Sequence, residues 1–127
     1  NPGKAPLFRV EERVALLTQA TKGLRGVQID AFDSLVVDYC RRKRARVMIR
    51  GLRMLSDFEY EFQMALTNRK LCDEVETMFL MPHETYAYVS ARLIKEAAAL
   101  GADLSAFVPP VVASALKRKL GQRRGRR

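Results

Sequence analysis

The 127 residues, 48% hydrophobic and 29% charged, are enough for one soluble domain with its own core. No apolar run nears the roughly 20 residues of a membrane span and no secretory signal opens the chain, so a membrane partner is not expected and the cytoplasm is the expected location. The net charge of +9 invites a nucleic-acid reading, but seven basic side chains and no acid lie in residues 117–127, leaving only +2 for the rest.

In chain order, Asn1-Pro-Gly-Lys-Ala-Pro6 is loop by composition. Residues 10–22 place Val10, Val14, Leu16, Leu17 and Ala20 at helical spacing, with Glu11 and Glu12 in the first turn and Gly23 as a stop. Val27 to Phe32 alternates and predicts a strand; 35–43 predicts a helix. The basic cluster Arg41-Arg-Lys-Arg44 with Arg46 follows that helix, where cations complement its C-terminus, so a surface role is expected and nucleic acid is not. Residues 46–49 predict a strand and 56–71 a longer helix, with Ser56 as N-cap and Glu59 as its capping-box partner. Residues 75–81 predict a strand ended by Pro82, 90–100 a helix closed by Gly101, and 111–120 a helix opened after Pro109-Pro110. Cys40 and Cys72 lack CxxC or Cys/His spacing and read as free thiols, and no set of residues has metal-ligand spacing.

Helix and strand alternate, which predicts an α/β fold with a Rossmann-like parallel sheet and helices on both faces. A single domain is expected over 1–120, with 121–127 as a basic C-terminal tail. A doubly wound sheet opens with a strand and a phosphate-binding loop, whereas this chain opens with a loop and a helix, so the first βα unit is expected to be missing.

Val47-Met-Ile-Arg50-Gly-Leu-Arg53 is the motif that carries most chemistry. A short buried strand ends at Arg50, and Arg53 follows three residues later. The C-terminal ends of parallel strands are where open α/β sheets bind ligands, and guanidinium forks grip phosphate oxygens there. Asp57 and Glu61 follow on one helix face, and their like charges call for a cation between them, for which Arg53 is the obvious candidate.

Arg50-Gly-Leu-Arg53 with Asp57-Phe-Glu-Tyr-Glu61, then Asn68-Arg69, Phe79-Leu-Met-Pro82 and Leu93-Ile-Lys-Glu96, closely resemble the bacterial phosphopantetheine adenylyltransferases. The resemblance runs from Asn1 to about Leu120. It implies a nucleotidyltransferase fold and transfer of AMP from ATP to 4′-phosphopantetheine, giving dephospho-coenzyme A and pyrophosphate. It also implies Mg²⁺ as cofactor, a homohexamer, and dephospho-coenzyme A or coenzyme A as product or inhibitor. By position, Lys4 resembles the lysine that grips the substrate phosphate and acts in catalysis with Arg53. Val36, Arg50, Asn68 and Glu96 resemble pantetheine-side residues. Gly51, Leu52, Arg53 and Glu61, with Tyr86, Ala87, Tyr88, Val89, Ser90, Ala91 and Arg92, resemble the ATP side. The family's consecutive serines stand here as Ser90-Ala91-Arg92, which leaves the contacts there to backbone amides. The family's HxGH-type motif has no counterpart: His83 follows Pro82 in a predicted loop and is not assigned a catalytic role. The expectation is therefore a chain that turns over slowly or not at all. Two other classes stay open, a non-catalytic nucleotide or coenzyme A binding module and a basic RNA-associated α/β protein.

Overall fold

The computed structural model describes residues 5–121. Its elements are α1 (Val10–Ala20), α2 (Val36–Arg42), β1 (Val47–Gly51), α3 (Leu55–Leu71), β2 (Glu76–Leu80), α4 (Glu84–Ala87), α5 (Ala91–Ala99) and α6 (Pro110–Gly121). The described residues fall into two compact units, one holding residues 32–88 and the other the segments on either side.

The 32–88 unit is a β–α–β arrangement preceded by α2. β1 and β2 pair in parallel, with Met48 opposite Thr77 and Arg50 opposite Phe79, and α3 supplies the crossover that parallel strands require. Val37 and Cys40 of α2 meet Cys72 and Val75, which lie between α3 and β2, in a buried cluster that Val36, Ala45 and Met48 pack against. Both thiols are free, and burial pushes the Cys40 thiol above its usual range. On the sheet face that alternates with Met48 and Arg50, Val47, Ile49, Met78 and Leu80 stay about half exposed or more.

In the second unit, Leu116 and Leu120 of α6 are buried with Leu104, flanked by Phe8, Ile94, Ala97 and Val112. Glu12 of α1 ties this unit together. Its carboxylate accepts the Arg9 backbone N–H at 2.7 Å and also bonds the Lys119 ammonium of α6, whose Nζ lies 5.3 Å from the centre of the Phe8 ring. The Lys119 bond, more than the Arg9 amide, holds the Glu12 pKa below its ordinary 4.5. A depressed folded-state pKa gives stability that is fully present above the unfolded value and fades as pH falls through the folded one. The melting temperature is therefore expected to fall with acidification below about pH 4.5, and Glu12→Gln should flatten that slope. Melting curves of both proteins across that range check it; equal slopes contradict it.

The parallel α/β arrangement matches the sequence pattern, with four local differences. The strand ending at Arg50 is not buried as expected: only Met48 faces the core, and Val47 and Ile49 are 46% and 64% exposed. Val27–Phe32 is not a strand: β1 and β2 pair with each other, and the segment joins no ladder among the described residues. Phe32 instead stacks on Tyr39 of α2, centroids 4.2 Å apart. Helix α3 begins at Leu55 with Met54 as N-cap, so Ser56 lies inside the first turn and the Ser56–Glu59 capping box does not define the start. The loop after Pro82 contains the short α4, whose N-cap is His83; its ring Nδ1 accepts the Thr85 N–H at 3.2 Å. Gly23 and Gly101 sit at φ 92° and 85° just beyond α1 and α5, as their stop roles require.

Candidate functional site: an arginine-lined slot at the end of β1

β1 places Met48 and Arg50 on one face by its two-residue period, and α3 lies over that face. Glu61, Met64, Ala65 and Asn68 recur at i, i+3, i+4 and i+7 along α3, which puts them on one stripe of the helix. With Val36 and Phe32 from the start of the unit and Thr77 from β2, they enclose a cavity of about 200 Å³.

The polar core of this slot is a bidentate pair. Arg50 donates from Nε to Glu61 Oε2 at 2.9 Å and from Nη2 to Glu61 Oε1 at 2.6 Å. Glu61's side chain is 12% exposed and Arg50's 45%, so the carboxylate is inside and the guanidinium bridges to the surface. The Glu61 bond raises the Arg50 pKa further, against a smaller opposing effect of burial. Two of the five guanidinium N–H groups go to Glu61, and three remain for another acceptor.

The loop after β1 starts at Gly51, where an added Cβ would meet nothing within 4 Å, so the space beside it is open. Leu52 donates its N–H to the Leu80 carbonyl at 3.0 Å and keeps the loop at the C-terminal end of both strands. Arg53 pairs with Asp57 at 3.4 Å. The expectation that Arg53 lies between Asp57 and Glu61 is therefore half met, because Glu61 goes to Arg50 instead. Tyr86 and Ala87 lie on α4, with Tyr86 and Tyr88 both exposed.

Of the pantetheine-side residues, Val36, Arg50 and Asn68 line one cavity, and Glu61, placed on the ATP side by resemblance, lines it too. Lys4 lies outside the described residues. Val89, Ser90, Ala91, Arg92 and Glu96 belong to the second unit. There Ser90 caps α5, its Oγ accepting the Leu93 N–H at 3.5 Å, and Arg92 and Glu96 form an i,i+4 ion pair at 3.1 Å. Because that cap bond is long, Ser90→Ala is expected to cost no more than about 1 kcal/mol. Denaturant unfolding checks this; a loss several times larger would mean Ser90 does more than cap. The sequence reading missed Met48, Met64, Ala65 and Thr77, although the helical stripe through Glu61 and Asn68 was there to extend.

Among the described residues no three His, Cys, Asp or Glu side chains gather into a metal-binding group. The carboxylates nearest the slot, Asp57 and Glu61, each already hold an arginine. These residues do not by themselves form a cage for a divalent cation.

A family model described as cytidylyltransferase-like matches residues 1–97. The phosphopantetheine adenylyltransferase of Alkalilimnicola ehrlichii is 53% identical over 119 residues, which cover 94% of this chain and 68% of that protein. Those of Alkaliphilus metalliredigens and Caldanaerobacter subterraneus are 51% and 52% identical, again over 94% of this chain, and over 76% and 74% of their own lengths. This chain belongs to the phosphopantetheine adenylyltransferase family. In this member of the nucleotidyltransferase family, Arg50 stands in the recess at the end of β1, paired with Glu61, and Arg53 follows in the loop, paired with Asp57. No helix among the described residues is long and apolar enough to cross a membrane.

Proposed function

We propose that the protein transfers AMP from ATP to 4′-phosphopantetheine, forming dephospho-coenzyme A and releasing pyrophosphate. The observation that carries this is the slot itself. Val36, Met48, Met64 and Ala65 give it apolar walls, Asn68 gives it an amide, and Arg50 stands in it as a cation. 4′-Phosphopantetheine has the matching parts, an apolar arm, amide groups and a terminal phosphate.

In the proposed reaction a phosphate oxygen of 4′-phosphopantetheine attacks the α-phosphorus of ATP. A new P–O bond forms as the bond to the β-phosphate oxygen breaks, and pyrophosphate leaves. Arg50, steadied by Glu61, would orient the attacking phosphate, and Arg53, steadied by Asp57, would face the charge that develops on the nucleotide. Lys4 is assigned to the same phosphate by resemblance. Gly51, Leu52, Tyr86, Ala87, Tyr88, Val89, Ser90, Ala91 and Arg92 are assigned to ATP, and Glu96 to the pantetheine arm, on the same ground. Mg²⁺ would enter with the phosphates of ATP, since Asp57 and Glu61, the carboxylates nearest the slot, are already paired. Coenzyme A shares the pantetheine arm and would compete for the slot. The half-exposed apolar faces of β1 and β2 support self-association, with a homohexamer as the assembly the family implies, and the cytoplasm as its place.

Pyrophosphate release from ATP with Mg²⁺ tests the reading. It is expected to require 4′-phosphopantetheine and to fall about 100-fold in Arg53→Ala, as loss of a stabilising charge of about 3 kcal/mol predicts. Release that needs no 4′-phosphopantetheine, or that is indifferent to Arg53→Ala, contradicts it.

A further inference from the structure

Helices α5 and α2 stop with the same hydrogen-bond pattern and different residues. After α5, Ala102 N–H reaches the Ala97 carbonyl and Gly101 N–H the Ala98 carbonyl, both at 3.0 Å, with Gly101 at φ 85°. After α2, Ala45 N–H reaches the Cys40 carbonyl at 2.8 Å and Arg44 N–H the Arg41 carbonyl at 3.0 Å, with Arg44 at φ 55°. This helix stop favours glycine at the left-handed position, because a Cβ there crowds the following carbonyl. Arg44 is the one non-glycine residue with positive φ among the described residues. A strained backbone kept for the sake of a long cationic side chain points to a use for that side chain.

Arg44 lines a recess of about 580 Å³ together with Arg41, Arg46 and Glu74. Its neighbours Arg42 and Lys43 are directed elsewhere. Both lie near the Tyr39 ring, 5.9 and 5.7 Å from its centre, and Arg42 also donates to Ser34 Oγ at 3.0 Å. Arg41, Arg44 and Arg46 are exposed, and among the described residues none of their guanidinium groups has an ion pair or hydrogen bond. The helix dipole accounts for a cation at Arg41, in the last turn of α2, but not for Arg44 and Arg46 beyond it. Three guanidinium groups against the single carboxylate of Glu74 leave the recess strongly positive. No aromatic ring lines it, so a nucleic-acid base has no platform to stack on. Arg46 precedes β1, four residues and roughly 13 Å of strand from Arg50, so the recess opens at the other end of the sheet.

We propose that this recess is a second anion site, taking a compact di- or triphosphate group on Arg41, Arg44 and Arg46. Three guanidinium groups outweigh the one carboxylate of Glu74, and the net attraction grows with the charge on the ligand, so a multiply charged phosphate group is favoured over a singly charged anion. The group can come as inorganic polyphosphate or as the phosphate tail of a nucleotide.

Calorimetric titration of the full chain with inorganic tripolyphosphate, and separately with ATP, tests it. One equivalent of tripolyphosphate is expected to weaken at least about 10-fold in Arg44→Gly and in Arg46→Ser, with steep weakening at higher salt. Glycine suits the backbone at position 44, so Arg44→Gly should melt no lower than the parent. Arg44→Asn, which also accepts this conformation, serves if it does not. ATP also binds the proposed catalytic site, so only the ATP binding that Arg44→Gly weakens belongs to this recess: a component equal in affinity to tripolyphosphate identifies the phosphates as the ligand, and a tighter one identifies a nucleotide. No binding, or binding unchanged by both substitutions, overturns the proposal. So does single-stranded RNA binding more tightly than tripolyphosphate at matched phosphate concentration.

Discussion

Arg50→Ala is expected to weaken 4′-phosphopantetheine binding by about 100-fold, the equivalent of one bidentate charge-assisted contact to phosphate. It should also lower stability, by about 1–2 kcal/mol, because it strips the partner from a mostly enclosed carboxylate while Arg50 itself is half in solvent. Adding Glu61→Gln separates the two effects. A neutral amide at 61 no longer needs a cation, so the double variant should regain most of the stability and none of the affinity. Denaturant melts and calorimetry on parent, single and double variants make the comparison. Recovery of affinity in the double variant would mean that Arg50 matters only as the counter-ion of Glu61, and the phosphate role assigned to it would fall.

Leu116→Ala should have the largest effect on stability, about 2–4 kcal/mol. Leu116 is 3% exposed at the centre of the α6 cluster, beside Leu104 and Leu120, with Ile94, Ala97 and Val112 around it. Removing its branched end leaves a void that small neighbours such as Ala97 and Ala113 cannot fill by turning a side chain. Leu116→Met keeps the volume and should cost under about 1.5 kcal/mol. Urea unfolding of the two variants checks the pair. Equal losses would show that the site tolerates a void, and that the α5–α6 packing does not rest on Leu116.

The sequence was most legible where local rules act alone. The apolar run before Arg50 gave β1, helical spacing gave α1, Pro109-Pro110 marked the start of α6, and Ser90 and Gly101 bracket α5 as a hydroxyl cap and a left-handed stop should. The Val27–Phe32 alternation misled because a strand exists only with a partner, and pairing is a long-range property that a local pattern does not report. Met54 rather than Ser56 capping α3 is a displacement of two residues, within the ordinary spread of helix ends. In the slot, the cationic character was readable from Arg50 and Arg53. The pairing was not: helix geometry brings Arg53 to Asp57, but only the packing of β1 under α3 brings Arg50 to Glu61, eleven positions away. The unusual stop of α2 was hidden for a related reason, since a run of basic residues gives no sign of which one adopts a left-handed backbone.

The most direct measurement of the central claim is the affinity of this protein for 4′-phosphopantetheine beside that for pantetheine, which lacks the phosphate, in the parent and in Arg50→Ala. The phosphate should add about 100-fold in the parent and almost nothing in Arg50→Ala, as expected if this guanidinium reads it. Equal affinities for the two compounds in the parent, or a phosphate preference that survives Arg50→Ala, would contradict the assignment of the slot.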